Sequence, residues 1–324
     1  MTTIPPNAGA ISSRRAFLGK LACTAGIVAS GTSLLPRAFA AQPAGAYTLW
    51  AIEAVETDES FGDGSTVHFY RFQPYQGSAK RGKLPYFEAT EGETVVLGLK
   101  NSSRVPLQPS IPGVVVAPVV PAGQTGWVMF TMPPAGSYQL SQESYRVVSG
   151  PCGLAGTMVS RPSNGLNELW NGGPAFDREY TLHYQDSDSR WNVAAANLQM
   201  PNLSEYQPNY FTLNGYSYPD IAADPDSVVA CNVGERVLLR MSNSGHMRQS
   251  IHFHGYHAQI VARNNVPVTA MPAKDTFEVA GGSTVDIILN VLQAGSYPLH
   301  PHSLTAVTAN GLYPYGQLTL IVAS

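Results

Sequence analysis

Short apolar runs alternate with polar breaks along this chain, and their period is two far more often than three and a half. Thr276-Phe277-Glu278-Val279 shows it cleanly, every second side chain being apolar, as in a strand with one face in a core and one in water. Runs rich in β-branched residues recur at 94–99, 126–130, 237–241, 258–262 and 284–289. Gly, Pro and Asn/Ser turns separate them. The pattern predicts an all-β protein of many short strands. Residues 192–208 read as a long irregular excursion before Phe211-Thr212-Leu213-Asn214-Gly215.

The chain also repeats itself. Glu91-Gly92-Glu93-Thr94-Val95-Val96-Leu97 echoes Val233-Gly234-Glu235-Arg236-Val237-Leu238-Leu239, and Ala135-Gly136-Ser137-Tyr138-Gln139-Leu140 matches Ala294-Gly295-Ser296-Tyr297-Pro298-Leu299. Both halves close on an apolar strand. Two β-sandwiches in tandem follow, over residues 41–162 and 179–324, joined by a linker at 163–178.

Composition agrees. Charged residues are only 13%, while 30 Gly and 25 Pro are spread throughout, which suits a turn-rich all-β chain. A formal net charge of -3 gives no reason to expect nucleic acid or an anionic membrane as partner. The first forty residues read differently. Ser13-Arg14-Arg15-Ala16-Phe17-Leu18 precedes a modest apolar stretch and then Ala38-Phe39-Ala40. This resembles a twin-arginine export signal, cleaved near Ala41, with an ordinary secretory signal or a retained anchor as the alternative, and predicts a periplasmic or secreted protein without a membrane span after cleavage. Cys23 falls within that signal. Cys152 and Cys231 remain, either paired in an oxidising compartment or separate as small buried apolar residues.

The chemistry lies in two histidine pairs, His252/His254 in Ser-Ile-His-Phe-His-Gly and His300/His302 in Tyr-Pro-Leu-His-Pro-His. Alternate residues of a strand share a face, so each His-x-His sets two imidazoles side by side. Two such strands lying together would gather four nitrogen ligands. Copper is the ion expected, with zinc the alternative for an imidazole set. The same histidines could instead pack in a cleft without metal. His257 reads as a rim residue, and His68, His183 and His246 as isolated surface or hydrogen-bonded residues. Tyr297, Tyr313 and Tyr315 read as core and rim aromatics. No nucleophile elbow, Walker loop or dinucleotide fingerprint is present.

With the repeat and both His-x-His segments in hand, the chain resembles the multicopper oxidases, particularly their two-domain bacterial members built of cupredoxin-like Greek-key sandwiches. The resemblance implies a blue copper fed by substrate and a three-copper cluster that reduces dioxygen. It also shows departures. Pro301 stands where the family's cysteine lies between the last two histidines. Gln249 replaces the first histidine of the His-Pro-x-His-x-His pattern, Ala306 a later histidine, and Leu312 the axial methionine. In the amino-terminal half, Ser110 and Pro112 stand opposite His252 and His254, and Ser141 and Glu143 opposite His300 and His302. A thiolate-fed cluster is therefore not expected, nor is four-electron reduction of dioxygen. The resemblance implies a homotrimer as well, in which Glu143 of a neighbour would approach the metal.

Three functions follow from these readings. The first is an exported copper-binding protein with a non-blue site at His252, His254, His300 and His302. The second is a copper oxidoreductase of reduced nuclearity, using a small-molecule reductant at an open coordination position. The third is a copper-free structural protein of the same fold.

Overall fold

Each half of the chain opens with a strand that runs parallel to a later one, and this parallel pair organises each sandwich. A computed structural model describes residues 47–324 apart from 76 and 270; the export signal expected at 1–40 lies outside the described residues. In the first half, β1 (Thr48–Ser60) pairs with β2 (Thr66–Pro74), and β5 (Thr94–Asn101) lies between β1 and β8 (Thr125–Thr131), giving the order β2-β1-β5-β8. The facing sheet uses β3 (Lys80–Arg81), β4 (Leu84–Thr90), β6 (Pro109–Ile111), β7 (Val115–Val116), β9 (Gly136–Gln142) and β10 (Gly156–Arg161), in the order β3-β4-β10-β9-β6-β7. A short helix α1 (Arg146–Ser149) links β9 to β10.

The second half repeats the plan. One sheet holds β11 (Arg178–Ser187), β12 (Tyr210–Leu213), β14 (Arg236–Asn243), β16 (Gln259–Arg263), β17 (Val266–Pro267) and β19 (Thr284–Asn290). The other holds β13 (Val229–Cys231), β15 (Gln249–Phe253), β18 (Thr276–Val279), β20 (Gly295–Pro301) and β21 (Thr319–Ala323), in the order β13-β21-β20-β15-β18. The protein is all-β, two tandem cupredoxin-like sandwiches.

Each sandwich has its own core because the alternating strands send one apolar row inward. In the first, Ile52, Phe72, Phe87, Leu97, Leu140 and Met158 meet, with Trp50 stacked on Phe87 at 4.9 Å. In the second, Leu239, Met241, Ile251, Phe253, Ile287 and Ile321 do the same. Each fully buried side chain of this size contributes about 1.5–3 kcal/mol. In the segment between β10 and β11, Leu169 and Phe176 cover Leu238, Val261 and Ile288 on the outside of the second sandwich.

The excursion after β11 is less irregular than expected. It begins as a helix, α2 (Ser189–Ala196), because Asp188 caps it: its Oδ1 accepts the Arg190 N–H at 3.0 Å. Trp191 on α2 packs with Val148 and Cys152 of the first half. The period-two pattern hid this two-turn helix. Cys152 and Cys231 are free buried thiols, one against α2 and the other in the second core, so the paired alternative is not adopted.

A polar joint connects the halves. Ser137 on β9 donates to Asp286 Oδ1 on β19 at 2.5 Å, and Arg240 on β14 donates to Ser137 Oγ at 3.1 Å. Arg240 also binds Glu179 at 2.8 Å. Gln139 donates to the carbonyls of Asn243 and Ser283 at 3.1 and 2.7 Å. The β9 face of the first sandwich is thereby taken up against β14 and β19 of the second.

Candidate metal centre

The second sandwich's outer sheet brings the two histidine pairs together by register. β15 runs antiparallel to β20, with His252 directly opposite His300. Ile251, Phe253 and Leu299 are buried in the core, so His252 and His300 must face out. His254 and His302 each stand one residue past the end of their strand and are exposed, whereas His252 and His300 are half-buried. Backbone bonds pin the ends: His302 N–H donates to Ser250 O at 2.6 Å and His254 N–H to Pro298 O at 3.1 Å.

The four rings form one cluster. Centroids lie 4.7 Å apart for His252 and His254, 5.1 Å for His254 and His300, 5.5 Å for His252 and His302, and 6.0 Å for His252 and His300. The Nε2 atoms of His254 and His300 are 3.0 Å apart. Partial burial, then the neighbouring His300 and His252, pull the His254 pKa below the ordinary imidazole value. Among the described residues, no three histidine, cysteine or acidic side chains converge on one point as they stand; the rings touch in a connected set with His252 at its centre.

The donor set fits an imidazole-bound ion. His252 Nδ1 lies 3.2 Å from Asp275 O and 3.0 Å from Thr276 Oγ1, and His300 Nδ1 lies 2.9 Å from Pro301 O. A carbonyl only accepts, so both Nδ1 atoms carry the proton in the neutral ring and both Nε2 atoms present a lone pair. Neither Asp275 nor Thr276 was signalled by the sequence. Their contact with His252 arises from the pairing of β15 with β18, where His252 faces Thr276.

Pro301 and Ala306 are buried, Gln249 is fully buried beside Asp186, and Leu312 is exposed. Cys231 shares the histidine sheet through β13, but its side chain belongs to the inner core. Ser110 faces Ser141 across β6 and β9, in the register that sets His252 against His300. Glu143 is exposed, and His257 is exposed beyond the tetrad. His68 lies between Glu56 and Asp58 at 3.3 and 2.9 Å. His246 stands edge-on to Tyr206 at 5.0 Å. Tyr297 packs against the second core, Tyr313 is exposed, and Tyr315 joins the apolar contact of Phe61 and Phe69. Among the described residues, no helix is long and apolar enough to cross a membrane.

Comparison with known proteins adds the relationship. Residues 195–314 match the multicopper oxidase family. No curated protein matches the chain. Among solved structures, the blue copper oxidase from Nitrosomonas europaea is similar at 20% identity and a TM-score of 0.72, covering 86% of this chain and 86% of that one. The multicopper oxidase mgLAC is similar at 18% identity and a TM-score of 0.72, covering 86% and 87%. The copper nitrite reductase from Nitrosomonas europaea is similar at 20% identity and a TM-score of 0.68, covering 86% and 94%. At these identities the likeness is one of fold. Residues 195–314 are thus similar to the multicopper oxidase family, and the two-sandwich fold is shared with multicopper oxidases and a copper nitrite reductase.

Proposed function

We propose that this is an exported copper-binding protein whose copper is held without a thiolate by His252, His254, His300 and His302. One observation carries the reading: four imidazoles share one sheet face, with the Nδ1 atoms of two of them bonded to backbone carbonyls. Imidazole sets favour copper over the other common divalent ions, and zinc follows it in affinity. When bound, copper would supply a redox centre or a Lewis acid. The protein's own part is to hold and orient the rings. Export rests on the twin-arginine pattern of residues 1–40, which lie outside the described residues.

The exposure of His254 and His302 favours a second reading, a copper oxidoreductase of reduced nuclearity in which a small reductant reaches the ion directly. Copper titration with electron paramagnetic resonance tests both. The expected result is a type 2 signal without intense blue absorption, lost in His252→Ala and in His302→Ala. A well-folded protein that takes up no copper would overturn both readings and leave the structural one.

A further inference from the structure

We infer that Thr276, backed by Asp275, is the positioning residue of the histidine tetrad: it fixes His252 as an Nε2 ligand and strengthens it as a donor. The inference rests on the copper reading above and deepens it.

His252 on β15 lies directly across from Thr276 on β18. A slip of one residue would put Phe277, which belongs to the core, in that place. The pairing brings Thr276 Oγ1 to 3.0 Å from His252 Nδ1. The Thr276 hydroxyl donates its own proton to Asp275 Oδ1 at 3.1 Å, so towards the ring it can only accept. Asp275 O, 3.2 Å from the same nitrogen, can only accept as well. It already takes the Phe253 N–H at 2.8 Å, which locks it in place. His252 Nδ1 thus faces two acceptors and must carry the proton. The lone pair is left on Nε2.

A second effect follows from the carboxylate. Asp275 draws the Thr276 hydroxyl proton towards itself and makes Oγ1 a better acceptor, which pushes electron density into the imidazole. His300 has a weaker arrangement, with its Nδ1 against the carbonyl of its own neighbour Pro301. His254 contributes its Nε2 to the contact with His300. Outer partners of this kind orient a metal-bound imidazole and set its basicity. His252 is accordingly the anchor of the tetrad.

The test uses the full exported chain and the variants Thr276→Val, Thr276→Ser and Asp275→Asn. Valine keeps the shape and strand preference of threonine, so circular dichroism should match wild type. Nitrogen NMR of the metal-free protein should find the His252 proton on Nδ1, and Thr276→Val should weaken that preference. Copper affinity, measured by chelator competition, should fall about 10- to 100-fold in Thr276→Val. Thr276→Ser should restore it, and Asp275→Asn should lie between. A metal-free ring protonated on Nε2, or a Thr276→Val protein that binds copper as wild type does, would overturn the inference. A wild-type protein that takes no copper would sink the copper reading instead, and the tautomer measurement would still decide the role of Thr276.

Discussion

His183 offers a direct test of how this fold handles a buried base. It lies on β11 at 1% exposure, with Nδ1 2.7 Å from Ser242 Oγ and Nε2 2.8 Å from Ser244 Oγ. Both nitrogens are satisfied while the ring is neutral, because either hydroxyl can turn to donate or accept. Burial pushes its pKa from the ordinary 6.5 to about 3, and the Arg71 guanidinium adds to the shift. Below about pH 6.5 the unfolded chain therefore takes up a proton that the folded chain refuses until about pH 3. The unfolded state binds more protons throughout that window, so stability falls as pH falls. Each unit costs about 1.4 kcal/mol, or about 3 kcal/mol between pH 7 and pH 4 from this residue alone. His183→Gln keeps hydrogen-bonding groups at the site and cannot titrate. At pH 7 it should be less stable by about 1–3 kcal/mol through weaker hydrogen bonds. Urea unfolding at half-unit steps from pH 8 to pH 4, at constant ionic strength, should show the two stabilities converging as pH falls. The carboxylates titrate in both proteins, so the difference between the curves isolates the histidine. Parallel curves would refute the reasoning.

Three further outcomes follow from the geometry. Arg240→Met removes the cation from between Glu179, Asp286 and Ser137 and strands a buried carboxylate, so urea unfolding should show a loss of about 3–5 kcal/mol; a loss under about 1 kcal/mol would contradict the joint described above. Gly255 has φ +73, and a Cβ there would lie 2.4 Å from the Tyr297 ring. Gly255→Ala should cost about 1–3 kcal/mol of stability and, by displacing the adjacent His254, weaken copper binding in the chelator assay. Thiol titration with a disulfide reagent should find Cys152 and Cys231 unreactive in the native protein and both reactive in urea, and reductant should leave the melting temperature unchanged.

Much of this was legible in the sequence because it depends on local period and on repetition. The strand read at residues 276–279 is β18 itself, since its alternation maps directly onto one buried and one open face. The gathering of His252, His254, His300 and His302 followed from two His-x-His strands and the assumption that they are neighbours, and β15 and β20 are paired. What was not legible depends on contacts distant in sequence. Asp275 and Thr276 reach His252 across a strand pairing that no local pattern announces. The helix Ser189–Ala196 is only two turns long and is set by one cap at Asp188 and by Trp191 burying itself against the other sandwich. So short a piece, with polar Asn192 buried and apolar Val193 exposed, leaves almost no periodic trace. The open choice for the cysteines was settled by placement, one thiol packing against α2 and the other in the second core.

The two sandwiches share a register but put it to different use. Ser110 faces Ser141 as His252 faces His300, so backbone geometry alone does not make a ligand face. In the first sandwich, the residues preceding Ser141 on β9 are consumed by the joint: Ser137 holds Asp286, and Gln139 holds two carbonyls of the second sandwich. Ser296 and Pro298 are their repeat partners on β20. Ser296 is exposed and Pro298 half-buried, and Pro298 has no N–H to donate. The same strand therefore serves as a dock in one half and as an open imidazole-bearing face in the other. Among the described residues, the paired imidazoles stand on the second sandwich alone, on a face that no other strand of the chain covers.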